Sequence, residues 1–188
     1  MTEPTAITAV ALPGTNVFAR PWTLDLGLPD FAAVRHEDIE PAVRAGMAVQ
    51  RSEWEAVASN EAEPTIANTV EALERSGELL DRVLTVLRTL TSATHCPDLD
   101  ELEEALALEL SAHIDAYDLA PRLYRRFKAL DGLVRAARET GAEPVDADGA
   151  PIDEQTARFI RLTVEAFERD GVALTGADAD RLREINSR

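Results

Sequence analysis

One cysteine, Cys96, and one lysine, Lys128, are all that the 188 residues offer of either type. A lone cysteine forms no intramolecular disulfide and no cysteine-based zinc site, and it fits a reducing, cytoplasmic setting. Long hydrophobic runs are also missing: nothing approaches the ~18 consecutive apolar residues that a membrane span requires. No secretion signal opens the chain, because Ala6–Leu12 is only mildly apolar, Glu3 precedes it, and the first basic residue is Arg20. Positive charge is scarce, with 19 Lys plus Arg against 35 Asp plus Glu and a net charge of −16. Such a field repels phosphates, which argues against nucleic acid or an anionic membrane as partner. What remains is ample for a core: 45% of residues are hydrophobic and 29% charged, so disorder of the whole chain is excluded. The length suits one domain that hides roughly 70% of its unfolded surface.

The chain divides at about residue 37. Pro4, Pro13, Pro21 and Pro29 recur through the first segment, with Gly14 and Gly27 between them. Each proline fixes its own φ and pushes the preceding residue away from helix, so residues 1–37 read as an extended arm. Trp22, Leu24, Leu26, Leu28 and Phe31 are the side chains expected to pin that arm across helices.

From residue 38 the apolar period becomes helical, and residues 38–188 read as one helical domain. Ile39, Val43, Met47, Gln50, Trp54 and Val57 advance by three or four, with only Gln50 interrupting the stripe. Pro41 is placed in the first turn, where its missing N–H costs nothing. A second helix is expected from an Asn68 cap, with Glu71 completing a variant capping box, through Leu73, Leu80, Leu84, Leu87 and Leu90. Gly77 falls on or beside that seam and would allow close helix approach. Cys96-Pro97-Asp98 ends it, and Asp98 caps a third helix carrying Leu102, Leu106, Leu110, Ile114 and Tyr117. A fourth starts near Pro121 with Leu123, Phe127, Leu130 and Val134. Residues 140–152 form a turn-rich connector, and Asp153 caps a fifth helix with Phe159, Ile160, Val164 and Phe167. A sixth begins near Ala177, where Leu182 and Ile185 start an apolar stripe that stops at Arg188 after about two turns, too few to be stable alone. The polypeptide therefore reads as truncated, and the fold as an all-α, irregular bundle of five to six helices with an extended arm. No internal repeat is evident.

Catalytic machinery is hard to find. His36-Glu37-Asp38-Ile39-Glu40 comes nearest to a metallopeptidase helix, but zinc ligation on one face needs His where Glu40 stands. It reads as polar residues leading into a helix. His95 and His113 are too distant in sequence for a local metal pair, and His113 lies near an apolar helix face. An activated thiol at His95-Cys96 lacks an orienting partner. Carboxylate pairs such as Glu103/Glu104, Asp146/Asp148 and Asp178/Asp180 are expected by chance among so many acids, and read as solvated. A calcium loop beginning at Asp146 fails, because its twelfth position is Ala157. No catalytic, cofactor-binding or metal-ligating residue is assigned.

The order of segments is more informative. Pro21-Trp22-Thr23-Leu24 and Pro29–Ala42, with its His36-Glu37-Asp38-Ile39-Glu40-Pro41 run, resemble the opening of the thimet oligopeptidase-like zinc metallopeptidases. Pro64-Thr65-Ile66-Ala67-Asn68-Thr69-Val70-Glu71-Ala72-Leu73-Glu74 is similar to that family's next block. Ser76-Gly77-Glu78-Leu79-Leu80-Asp81-Arg82-Val83, Gly46-Met47 and Gln50-Arg51 resemble the bacterial peptidyl-dipeptidase Dcp branch. Leu123-Tyr124-Arg125-Arg126, Phe167-Glu168-Arg169-Asp170-Gly171 and Leu182-Arg183-Glu184-Ile185-Asn186 continue in order. Residues 139–153 depart from the pattern, and the first 17 residues have no clear counterpart.

The resemblance implies a complete enzyme that binds zinc through an H-E-x-x-H helix and a downstream Glu, using the motif's Glu as general base for a zinc-bound water. None of those residues has a match here. It implies for this region a wall of helices along a channel that admits short peptide substrates, with the catalytic domain as its missing partner. The other reading is a stand-alone helical interaction module, dimeric through an apolar surface. Either way, self-association or fraying is expected near Leu182 and Ile185.

Overall fold

The computed structural model describes residues 12–93, 96–174 and 181–182. Among them the architecture is all-α: α1 (His36–Ser59), α2 (Glu71–Glu74), α3 (Glu78–Ala93), α4 (Pro97–Asp118), α5 (Pro121–Thr140) and α6 (Glu154–Arg169). A π-helical turn, Ile66–Val70, leads into α2, and single 3-10 turns occur at Val17–Ala19 and Asp25–Gly27. Of the expected sixth helix, only Arg181–Leu182 lies within the described residues, and they are helical. Leu182 is half-buried, while Ile185 lies outside the described residues.

The chain forms two compact units, one from residues 1–53 and 77–110, the other from 54–76 and 111–188. Each has its own apolar core. The first gathers Phe18 from the arm, Ile39, Val43 and Met47 from α1, Leu80, Val83 and Leu87 from α3, and Leu99 and Leu106 from α4. Their spacing of three and four residues lays each helix's stripe inward. The tightest point is Gly46, where an added Cβ would stand 2.8 Å from the Leu80 Cα, so α1 and α3 touch backbone to backbone. The second core comprises Val57, Val70, Leu123, Phe127, Leu130, Val134, Ile152, Ile160, Val164 and Phe167.

The arm is pinned differently from the sequence expectation. Phe18 is fully buried, with Trp22 edge-on to its ring at 5.6 Å. Leu24, Leu26, Leu28 and Phe31 are exposed. Alternation along a short segment identifies a face but not which way it turns. Two polar anchors complete the attachment. Asn16 accepts from the Phe18 N–H at 2.9 Å and donates through Nδ2 to the Asp38 carbonyl at 2.9 Å, while Arg82 Nη2 donates to the Phe18 carbonyl at 3.1 Å.

Three further expectations are corrected. α1 starts at His36, so Pro41 is its sixth residue, past the first turn, and a helical hydrogen bond is forgone there. The cap of the next element is Thr65: its hydroxyl accepts from Asn68 N–H at 3.1 Å, and the Asn68 side chain accepts from Thr65 N–H at 2.9 Å. The expected single helix from Asn68 is broken at Arg75–Gly77. Gly77 has φ +81°, a left-handed conformation open to glycine, and its N–H donates to Glu53 Oε2 at 2.8 Å. Gln50, the polar interruption in the α1 stripe, covers this turn; a Cβ on Gly77 would collide with its side chain.

The expected Asp98 cap is also displaced: α4 starts at Pro97, so Asp98 lies in its first turn, and the Leu99 and Asp100 N–H groups donate to the Cys96 carbonyl. The signals around α5 and α6 agree with the sequence. Pro121 opens α5, and Gly141 (φ +71°) closes it, its N–H donating to Ala137 and Arg138 carbonyls while Ala142 N–H also reaches Ala137. Asp153 caps α6 by accepting from Thr156 N–H at 2.7 Å, which holds its carboxyl below the usual range.

Candidate functional site

The acidic run at the start of α1 resolves into ion pairs. Arg35 contacts Glu37 at 3.2 Å and Asp38 at 3.2 Å, and Arg44 contacts Glu40 at 2.8 Å. Arg44 also grips Glu109 of α4 through two hydrogen bonds of 3.1 and 2.9 Å, which lowers the Glu109 pKa and raises that of Arg44. His36 lies with its Nδ1 3.9 Å from Cys96 Sγ, an exposed contact across sixty residues of sequence. His95, considered as the thiol's neighbour, lies outside the described residues. His113 is buried and stacks on Trp54, with ring centroids 4.6 Å apart and planes 25° apart. Trp54 also donates from Nε1 to Ser76 Oγ at 3.2 Å. Tyr117 continues the aromatic packing between Trp54 and Phe167, at 5.1 and 5.3 Å. Burial first, then Asp118 and Glu74, pushes its phenol up to about 12.

The carboxylate pairs separate into different roles. Glu103 and Glu104 are exposed on α4, as expected of solvated acids. Asp146 is buried, which the sequence reading missed. Its Oδ1 accepts from Asp148 N–H (3.0 Å) and Ala150 N–H (2.9 Å), closing the turn between Val145 and Pro151, and its Oδ2 accepts from Ile66 N–H at 2.9 Å. One carboxylate thus ties the 139–153 segment to the first turn of the Ile66–Val70 element. Asp178 and Asp180 lie outside the described residues. Among the described residues, no group of three His, Cys, Asp or Glu side chains could hold a metal ion.

The most constructed polar site is a cleft of about 260 Å³ lined by Asn60, Glu61, Ala62, Glu63, Arg122, Arg125 and Arg126. Arg126 is buried on the inward face of α5. Its Nη1 donates to the carbonyls of Asn60 (2.7 Å) and Ala62 (3.1 Å), its Nη2 to Asn68 Oδ1 (2.7 Å), and its Nε to Thr69 Oγ1 (3.1 Å). Burial lowers its pKa, and the Glu63 charge opposes that. The guanidinium is largely consumed in holding the 60–62 loop to the Asn68–Thr69 turn, so its chemistry here is that of a structural fork. Sequence reading placed Arg126 in a family block but not in a site. The available signal is its position three residues after Leu123, on the apolar stripe.

Nearby, Arg122 pairs with Glu55 at 2.6 Å. Lys128, the single lysine, donates to Glu168, which also accepts from the Tyr124 hydroxyl at 2.8 Å. Glu168 raises the Lys128 pKa, and Lys128 lowers that of Glu168. At the end of α4, Asp118 is pushed up first by desolvation, then by the charges of Asp170 and Asp115. None of these arrangements places a nucleophile beside an oriented base.

No protein-family model matches the chain. Comparison with curated proteins does find relatives, and they are peptidases. The dipeptidyl carboxypeptidase of Escherichia coli (strain K12) is 29% identical over 172 residues, covering 92% of this chain and 23% of that protein. The dipeptidyl carboxypeptidase of Salmonella typhimurium (strain LT2) is 29% identical over 159 residues, covering 85% of this chain and 22% of that protein. The resemblance read from the ordered blocks is thus borne out along most of the sequence. The chain spans about a quarter of the length of the curated relatives it matches. No described helix is long and apolar enough to cross a membrane.

Proposed function

We propose that this chain is the N-terminal helical region of a cytoplasmic, zinc-dependent peptidyl-dipeptidase, which removes C-terminal dipeptides from short peptides. In this reading the helices form one wall of the substrate channel, and the region is not catalytic by itself. Its partners are short peptides and the catalytic domain of the same polypeptide. One observation carries the reading: similarity to dipeptidyl carboxypeptidases extends over 92% of this chain but over only 23% of the Escherichia coli protein. Zinc would be held by residues beyond this chain, and no step is assigned to residues within it.

The test is direct. The 188-residue chain should neither cleave a short peptide with a free C-terminal carboxylate nor bind zinc stoichiometrically. The longer polypeptide from the same gene should release dipeptides from that peptide and lose the activity on chelation. A reading frame that closes at Arg188, or a longer polypeptide with no peptidase activity, refutes the proposal.

A further inference from the structure

The exposed part of the arm has a built shape. Leu26 is 96% exposed and sits at φ 60°, ψ 15°, the one described non-glycine residue in the left-handed region. A γ-branched side chain gains nothing from that conformation and is strained by it. Leu24, Leu28 and Phe31, in the same eight-residue stretch, are 49%, 55% and 43% exposed, and this run of exposed apolar residues is the ridge. A groove of about 410 Å³ is lined by Arg20, Trp22, Thr23 and Asp30 among others, the last two being sequence neighbours of Leu24 and Phe31. Neither Arg20 nor Asp30 has an ion-pair partner among the described residues.

We propose that the Leu24–Phe31 ridge and the adjoining groove seat a further segment of the same polypeptide, one lying beyond Arg188, with apolar side chains over Leu26 and paired charges at Arg20 and Asp30. Two observations select this occupant over a second copy. The ridge offers on the order of a few hundred Å², the size of a single patch on a monomer, below the ~800 Å² per partner of a stable independent interface. Such an area suffices when the partner is tethered, because linkage raises its effective concentration. The curated relatives, of which this chain spans about a quarter, have the additional length such a segment needs. The inference rests on the proposed function only in requiring a longer polypeptide.

The experiment places a thiol at the crest, Leu26→Cys in a Cys96→Ser background, in both the 188-residue chain and the longer polypeptide. Labelling by a maleimide is normalised to each protein unfolded in urea. The shorter chain should label at close to the unfolded rate, and the longer one at least tenfold more slowly. Equal rates in a longer polypeptide that cleaves peptides overturn the seat and leave the peptidase reading intact. Protection without peptidase activity does the reverse. Slowing that grows with concentration of the shorter chain assigns the surface to a second copy and overturns the proposal. A frame that closes at Arg188 removes both.

Discussion

Gly46→Ala and Gly132→Ala make the same chemical change with opposite expected signs. At Gly46 the new Cβ would stand 2.8 Å from Leu80 Cα and 2.9 Å from Leu80 N, both backbone atoms. Ordinary contact begins at 3.4 Å, so α1 and α3 must separate by roughly 0.6 Å, and the packing around Val43, Met47 and Val83 opens with them. Overpacking of this kind costs about 1–3 kcal/mol, while alanine returns about 1 kcal/mol of helix propensity. The net expectation is a loss of up to about 2 kcal/mol. At Gly132, within α5, nothing lies within 4 Å of the new methyl. Only the propensity gain applies, and the chain should be stabilised by up to about 1 kcal/mol. With an m-value of about 2 kcal/mol/M in urea, the midpoint falls by up to ~1 M for the first variant and rises by up to ~0.5 M for the second. Far-UV circular dichroism reads the whole chain, and tryptophan fluorescence reads both units, through Trp22 in the one that contains Gly46 and Trp54 in the other. A Gly46→Ala variant stabilised as much as Gly132→Ala would refute the backbone contact between α1 and α3.

Other consequences are similarly checkable. Asp146→Ala removes the acceptor of three backbone N–H groups and should cost about 2–3 kcal/mol in thermal or urea unfolding, with amide exchange accelerated at Ile66, Asp148 and Ala150. Arg126→Met strands the Asn60 and Ala62 carbonyls and should cost about 2–4 kcal/mol; Arg126→Lys should not restore it, because an ammonium cannot span the fork. Asp118 has a folded pKa above its ordinary 3.8, so the fold opposes its ionisation. The penalty is absent below pH 3.8 and grows as pH rises toward the folded pKa, so Asp118→Asn should stabilise at pH 7 and not at pH 3. Tyr117, raised to about 12, should stay protonated at pH 11 in a 295 nm titration, with stability falling as pH climbs from 10 toward 12.

The helices were largely legible because their signals are local. Apolar residues recur every three or four positions through α1 and α4–α6, and Pro121 and Asp153 mark starts by their own chemistry. Where the reading went wrong, a distant residue decided. Gly77 at helical spacing looks like a groove in a seam; its left-handed turn depends on Glu53 and Gln50, over twenty residues earlier. Thr65 and Asn68 belong to one capping box, and the local sequence names its members without fixing which of them is the cap. Asp146 resembled a solvated acid until the chain brought Ile66 N–H to it across eighty residues. The Arg126 cleft needed the same long-range closure, with the 60–62 loop lying more than sixty residues from Arg126. Likeness to the peptidases survived in the order of blocks, which needs no folding to be read.

Along α4, Asp98, Asp100, Glu101, Glu103, Glu104, Glu109, Asp115 and Asp118 occur without a single Lys or Arg. Its apolar stripe therefore holds the helix against its own field, and the Arg44 fork offsets the charge of Glu109. Dissolved ions then act on this helix as they would on a polyelectrolyte. Screening should tighten it, and cooling the ionic atmosphere to millimolar strength should loosen its ends first. Ionic strength thus becomes a dial on α4 that turns in the opposite sense to its usual effect on salt-bridged surfaces.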